Sequence, residues 1–135
     1  MMLLVDGAWL ESRLSDPDVR VIDASWYLPA QKRDARAEYA AAHIPGAIHL
    51  DLSSELADTG AKLRNSVAPP DALARVFASR GIGSAHHVVV YDRLGGFSAG
   101  RVWWTLRYAG HDRVSLLDGG FAAWVAEGRP VTVEV

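Results

Sequence analysis

Short apolar runs alternate with helical patterns along the whole chain. Runs rich in valine, isoleucine and leucine predict strands at Met2–Val5, Val19–Ala24, Ala47–Leu50, His87–Tyr91 and Val114–Leu117. Apolar spacing, together with proline or glycine at the ends, predicts helices at Gly7–Leu14, Ala35–Ala42, Pro70–Arg80, Ser98–Ala109 and Phe121–Glu127. The stretch Asp51–Ala68 carries turn residues and is predicted to be irregular.

This order of elements predicts an α/β fold. Crossovers of a dozen or more residues separate the apolar strands, which is typical of a parallel sheet with helices on both faces. We therefore expect one domain, residues 1–135, built around a five-stranded, mainly parallel sheet. Ligands of such sheets bind beyond the carboxyl ends of the strands. Candidate residues are accordingly sought just after Ala24, Leu50, Tyr91 and Leu117.

Composition removes several classes of function. The net charge of −2 gives no basic surface for nucleic acid or an anionic membrane. No apolar run approaches the length of a membrane span, and the N-terminus lacks the pattern of a signal peptide, so we expect a cytoplasmic protein. The chain has no cysteine, which excludes disulfides, thiolate metal sites and cysteine persulfides carried by these residues.

Four segments carry a specific resemblance. They are VIDASWYLP (21–29), AEYAAAHIPGAIHLD (37–51), VVVYDRLGGFSAGRVWW (88–104) and VSLLDGGFAAW (114–124). Together, in this order, they resemble the rhodanese family. The long polar insert Trp26–Arg36 and the RVWW helix resemble the N-terminal domain of two-domain thiosulfate and 3-mercaptopyruvate sulfurtransferases. The resemblance implies a rhodanese fold and a C-terminal rhodanese domain as the partner within the same protein.

The resemblance also implies where sulfur chemistry belongs. An active domain of the family carries a cysteine just after the central strand, where loop amides and a helix N-terminus stabilise its anion. Here Asp92 stands at that position, so we expect this half to be non-catalytic and to form one wall of a substrate cleft. The implied substrate is a small anionic sulfur donor, and no cofactor is implied. The alternative is a free-standing, cysteine-less module that binds a protein or a small anion.

Four residues are candidates for the cleft. In the two-domain family the histidine of the HIPGA box lies near the interdomain cleft, and an acid from the preceding insert can accompany it. By motif position these are His43 and Asp34, and Arg33 and Arg36 are predicted to attract an anionic donor. His43 has an alternative role, which is to hold the turn by local hydrogen bonds.

Other patterns suggest chemistry that the context does not support. Residues 96–100 read GFSAG, the nucleophile-elbow pattern of serine hydrolases, but the acid and histidine do not follow in the required order, and Ser98 is predicted instead to cap the next helix. Asp92 as a nucleophile lacks a nearby second carboxylate.

The adjacent His86 and His87 point to opposite faces of a strand, which makes a metal site with His111 unfavourable. Trp103, Trp104 and Trp124 are expected in the core or at an interface, and docking to a second domain predicts an exposed apolar patch.

Overall fold

The computed structural model describes residues 3–57 and 67–135. Its sheet has five strands in the order β1-β5-β4-β2-β3, and every pairing is parallel. The strands are β1 (Leu4–Val5), β2 (Val19–Asp23), β3 (Ile48–His49), β4 (His87–Tyr91) and β5 (Val114–Leu117). The predicted α/β fold with a five-stranded parallel sheet is confirmed. Met2, predicted to begin β1, lies outside the described residues, as do residues 58–66 of the predicted irregular stretch.

Within the described residues, five α-helices and one 3₁₀ turn connect the strands. They are α1 (Gly7–Glu11), the 3₁₀ turn Pro29–Gln31, α2 (Ala35–Ala41), α3 (Pro70–Ser79), α4 (Phe97–Tyr108) and α5 (Gly120–Ala126). The first helix ends three residues before the predicted Leu14, where the Ser12 hydroxyl donates to the Trp9 carbonyl. Among the described residues, no helix combines the length and apolar character that crossing a bilayer requires.

The core lies on both faces of the central strand β4. Side chains alternate along a strand, so Val88 and Val90 face one layer while Val89 and Tyr91 face the other. The first layer packs against α3 and α4, and the second against α1, α2 and α5. All five residues of β4 are buried, which explains the uninterrupted apolar sequence of this strand.

The order in which successive strands are placed in the sheet reverses between β2 and β4. From β2 the chain proceeds outward to β3, and from β4 it proceeds the other way to β5. Ligand crevices in parallel sheets form at such a reversal, beyond the carboxyl ends of the strands. The segments after β2, β3, β4 and β5 therefore meet at one edge, which we call the carboxyl edge.

Candidate functional site

Asp92, the first residue after β4, organises the loop at the centre of the carboxyl edge. The side chain is buried, and its Oδ1 accepts the backbone N–H groups of Leu94 at 3.1 Å and Gly96 at 3.0 Å. Its Oδ2 accepts the N–H of Ala99 at 2.8 Å and the hydroxyl of Ser98 at 3.3 Å. Three amides and one hydroxyl thus converge on a single carboxylate. The loop amides form an anion-binding cradle, and the anion that they bind is the Asp92 carboxylate of the same loop.

This arrangement corrects the predicted role of Ser98. The helix-capping residue is Gly96, in the left-handed region at φ 88°, and α4 begins at Phe97. Ser98 lies inside the first turn of α4, where its hydroxyl donates to Asp92 instead of accepting from the helix. Because the Asp92 carboxylate already accepts the Ala99 amide, the orphan donors of the first turn need no serine cap.

The start of α5 packs against the same loop. The Phe121 N–H donates to the Asp92 carbonyl at 3.0 Å. A Cβ at Gly120 would lie 2.8 Å from that carbonyl oxygen, and Gly120 has a φ of +61°. Only glycine tolerates both the close approach and this backbone conformation, which is the physical reason for the Gly-Gly pair after β5.

A buried ion pair ties the loop to β2. Arg93 Nη2 lies 3.2 Å from Asp23 Oδ2, and the same nitrogen donates to the Ala42 carbonyl at 2.5 Å. The guanidinium stacks over the Phe121 ring at 4.0 Å. Asp23 is fully buried and also accepts the Ser25 N–H. Arg93 therefore joins the ends of β2 and β4 to the turn after α2 and to α5, and breaking such a buried pair typically costs about 3–5 kcal/mol.

An apolar groove of about 580 Å³ lies beside the loop on the carboxyl edge. Its lining is mainly apolar: Trp26, Leu28, Gln31, Leu52, Leu94, Phe97, Ser98 and Arg101. Three of its large apolar side chains are strongly exposed, with Phe97 at 77%, Leu28 at 53% and Leu94 at 40%. Exposed apolar residues gathered in one concave patch are typical of interaction surfaces.

A polar pocket of about 440 Å³ adjoins the groove, and Trp26 borders both. Its lining residues are Ser25, Trp26, Tyr27, Arg33, Asp34, Ala35, Arg36, His49 and Asp51. Three of the four predicted cleft residues thus share this pocket, namely Arg33, Asp34 and Arg36. The Asp34 carboxylate caps α2 by accepting the Ala37 N–H at 3.0 Å. Arg36 is exposed and makes no hydrogen bond or ion pair with the residues that the structure describes.

Arg33 is engaged in an ion pair beside this pocket. Its Nε and Nη2 donate to the two carboxylate oxygens of Glu38, at 2.9 and 2.8 Å. That hydrogen-bonded guanidinium lowers the pKa of Glu38, and Glu38 in turn raises the pKa of Arg33. Tyr27 donates to Glu38 at 2.6 Å, and burial together with this carboxylate raises the pKa of Tyr27 to about 12. Tyr27 and Arg33 are therefore fixed structural partners of Glu38.

His43, the fourth predicted residue, lies apart from the other three. It is completely buried, its Nδ1 lies 2.8 Å from the Tyr39 carbonyl, and its Nε2 lies 2.6 Å from the Glu134 carbonyl. His43 and Thr132 also exchange two backbone hydrogen bonds, so the C-terminal segment is held on the turn. Asp34 and His43 flank opposite ends of α2, a seven-residue helix about 10 Å long, and do not meet. The cleft role of His43 stays a prediction that these contacts do not support.

The family to which the chain belongs is shown by a sequence profile that matches most of its length. The sequence profile described as the Rhodanese-like domain matches residues 6–127. The chain belongs to the rhodanese-like domain family. The predicted resemblance is confirmed, and the match includes the Asp92 loop, the apolar groove and the polar pocket.

Named relatives of this rhodanese-like domain are sulfurtransferases. The chain is 46% identical over 132 residues to thiosulfate/3-mercaptopyruvate sulfurtransferase 2 of Arabidopsis thaliana, and the aligned region covers 98% of this chain and 38% of the relative. It is 43% identical over 137 residues to the thiosulfate sulfurtransferase of Bos taurus, covering 97% and 46% respectively. The solved 3-mercaptopyruvate sulfotransferase SseA of Escherichia coli superposes with a TM-score of 0.90 at 34% identity, covering 98% of this chain and 50% of that chain. The chain thus spans half or less of the length of these proteins.

Two site residues of this rhodanese-like domain were not predicted from the sequence. Ser25 and His49 are buried at the floor of the polar pocket, and His49 Nε2 lies 3.1 Å from the Ser25 carbonyl. Both residues fall within motif segments, but neither shows a sequence pattern that points to a ligand. The only available signal was position, since each lies at or just beyond the carboxyl end of a strand.

The competing chemistries find no assembled site among the described residues. Ser98 donates to Asp92, and no histidine is hydrogen-bonded to it. The three histidines considered for a metal have other contacts: His86 Nδ1 accepts the Gly83 N–H, His87 Nε2 lies 2.9 Å from Ser115 Oγ, and His111 Nε2 lies 2.9 Å from the His86 carbonyl. Burial lowers the pKa of His87, which favours the neutral ring inside the sheet.

Proposed function

We propose that this chain is a non-catalytic rhodanese domain of a two-domain sulfurtransferase. It forms one wall of the substrate cleft, and the second domain, C-terminal to it, carries the persulfide-forming cysteine. The observation that carries the proposal is the Asp92 carboxylate, which accepts the amides of Leu94, Gly96 and Ala99. In an active rhodanese loop such amides stabilise a sulfur anion, and Asp92 takes the position of the cysteine that would bear it.

Electrostatics make this substitution decisive for sulfur transfer. A carboxylate cannot accept sulfane sulfur as a persulfide, and the chain contains no cysteine that could do so. An incoming anion in the same cradle would also meet a fixed negative charge, and two like charges about 4 Å apart repel by about 4 kcal/mol at an effective dielectric constant of about 20. In the proposed two-domain protein, the reacting sulfur is bound by the second domain.

The apolar groove supports a domain as the partner. Phe97, Leu28 and Leu94 expose apolar surface at the carboxyl edge, where rhodanese chemistry takes place. The Arabidopsis relative extends well beyond the matched region, which makes up 38% of its length. A second rhodanese domain that covers this groove would bury the exposed side chains and place its own loop opposite Asp92.

The polar pocket supports an anionic donor at the rim of the cleft. Arg36 is an exposed guanidinium without an ion-pair partner among the described residues. The polar pocket that contains Arg36 adjoins the groove, because Trp26 borders both. A small anionic sulfur donor that entered between the two domains would be attracted by this charge, while Arg33 remains paired with Glu38.

The test is to supply the missing partner in trans. The remaining segment of the 46% identical Arabidopsis relative is produced separately and titrated with this chain by calorimetry. We expect a complex, and we expect Phe97→Asp to weaken it at least about tenfold because Phe97 is the most exposed of the large apolar side chains in the groove. Val125→Asp, at an exposed position on α5, is the matched control and should leave affinity unchanged. Absence of binding, or equal effects of the two variants, would favour the free-standing module.

A further inference from the structure

The outer face of α4 carries a row of exposed aromatic side chains. Phe97, Trp104 and Tyr108 are exposed by 77%, 44% and 44% respectively. Together with Arg101 they occupy positions i, i+4, i+7 and i+11, which lie on one face of an α-helix. We call these four residues the aromatic stripe. At the rise of an α-helix, the stripe runs for about 17 Å along α4.

Contacts along the aromatic stripe make it one continuous surface with the apolar groove. Phe97 and Arg101 both line the groove. The Arg101 guanidinium lies 5.5 Å from the centre of the Trp104 ring. The Trp104 ring in turn stacks on the Tyr108 ring, with centroids 5.1 Å apart. The groove at the carboxyl edge therefore continues onto the outer face of α4.

The residues of α4 are unlike those of an ordinary solvent-facing helix. Its inner face is buried in the core through Ala99, Val102 and Leu106, and a helix that is apolar on both faces normally has both covered. The helix contains no lysine, aspartate or glutamate, and interface cores are depleted in these residues and enriched in aromatic residues and arginine. In contrast, the exposed side of α3 carries an i,i+4 ion pair between Arg75 and Asp71. The outer face of α4 thus has the character of a protein interface.

The apolar groove alone offers too little surface for a stable interface. The exposed parts of Phe97, Leu28 and Leu94 amount to about 300 Å² when a whole large apolar residue is taken as roughly 200 Å². A stable interface takes about 800 Å² from each partner. A second domain seated on the groove therefore has to cover neighbouring surface as well. Trp104 and Tyr108 add about 200 Å² that is contiguous with the groove.

We propose that the second domain of the two-domain protein covers the aromatic stripe together with the groove. Trp104 anchors this extension, because it lies between Arg101 and Tyr108, and a few central Trp, Tyr and Arg residues dominate the binding energy of interfaces. Coverage of the stripe rests on the proposed function and adds a second, separable part to its interface. A second domain that covers only the groove would leave the proposed function intact and the stripe open to solvent.

Substitutions in the stripe are tested by calorimetry against the remaining segment of the Arabidopsis relative. We expect Trp104→Gln to weaken the complex at least about tenfold and Tyr108→Gln at least about threefold, because each removes an aromatic ring from the interface. Val125→Gln, the same substitution at an exposed apolar position of α5, is the matched control and should leave affinity unchanged. Unchanged affinity in Trp104→Gln, in a complex that Phe97→Asp weakens, overturns the proposal for the stripe alone.

Footprinting of the unsubstituted chain makes the test independent of how the variants fold. Hydroxyl-radical labelling and mass spectrometry measure the accessibility of Phe97, Trp104, Tyr108 and Val125 with and without the Arabidopsis segment. We expect the three stripe residues to lose most of their labelling in the complex and Val125 to keep its own. Protection of Phe97 alone overturns coverage of the stripe and leaves the proposed function standing, whereas absence of a complex overturns both. Protection of the stripe in this chain alone that rises with its concentration assigns the surface to a second copy, which also overturns the proposal.

Discussion

The Asp92 loop and the polar pocket lie at the same edge of one sheet and differ in how their buried polar groups are satisfied. In the loop, Asp92 accepts three amides and the Ser98 hydroxyl. In the pocket, Ser25 Oγ and His49 Nδ1 find no partner among the described residues. The difference teaches that a rhodanese loop can keep its inward-pointing amides while a side chain of the same loop, Asp92, accepts their hydrogen bonds.

The largest expected effect concerns the anion of the loop. Asp92→Ala leaves the amides of Leu94, Gly96 and Ala99 without their acceptor, and we expect a loss of about 3 kcal/mol in the free energy of unfolding, measured in urea. Asp92→Asn keeps one carbonyl oxygen in place and should lose less than half as much. A loss below about 1 kcal/mol for Asp92→Ala would show that the cradle does not depend on this carboxylate.

A second expected effect compares two buried histidines, His43 and His49, that both lie near the Tyr39 ring. The Tyr39 ring stacks on His43 at 4.0 Å and lies 5.9 Å from His49. Both ring nitrogens of His43 contact carbonyl oxygens, whereas His49 has one such contact. We expect His43→Phe to lower the free energy of unfolding by about 2 kcal/mol and His49→Phe by about 1 kcal/mol or less. Equal losses, or a larger loss at His49, would contradict the contrast.

The smallest expected effects come from two buried serines. Ser98 donates to Asp92, so Ser98→Ala should cost about 1 kcal/mol. The Ser25 hydroxyl has no partner among the described residues, so Ser25→Ala should leave the free energy of unfolding within about 0.5 kcal/mol of the unsubstituted chain. Thermal and urea unfolding of both variants provide the comparison. A Ser25→Ala variant that loses as much as Ser98→Ala would mean that the hydroxyl is already satisfied.

Much of the fold was predictable because local patterns and tertiary structure agree. The β-branched run His87–Tyr91 is the central buried strand, and the proline start and glycine stop of α3 bound the observed Pro70–Ser79 to within a residue. The start of α4 was misplaced by one residue because the Ala99 amide of its first turn is satisfied by Asp92, a side chain outside the helix, and not by a serine cap. Such a cap depends on the three-dimensional path of the loop.

The candidate site was predictable only in part. Motif position led to Asp92 and to the pocket residues Arg33, Asp34 and Arg36, all of which lie at the carboxyl edge. It could not show that His43 is enclosed, because that depends on Glu134, which lies 91 residues away in the sequence. The orphan atoms of Ser25 and His49 were equally invisible, since an unmade hydrogen bond leaves no trace in a sequence pattern.

The most direct test of the central claim is sulfur transfer by the chain alone. The claim is that the loop cradle holds Asp92 and leaves no group that can carry sulfane sulfur. The purified domain is assayed with thiosulfate and cyanide, and separately with 3-mercaptopyruvate and a thiol, while intact mass is monitored for an added sulfur atom. We predict the buffer rate in both assays and an unchanged mass. Turnover well above the buffer rate, or a sulfur adduct on the protein, would contradict the claim.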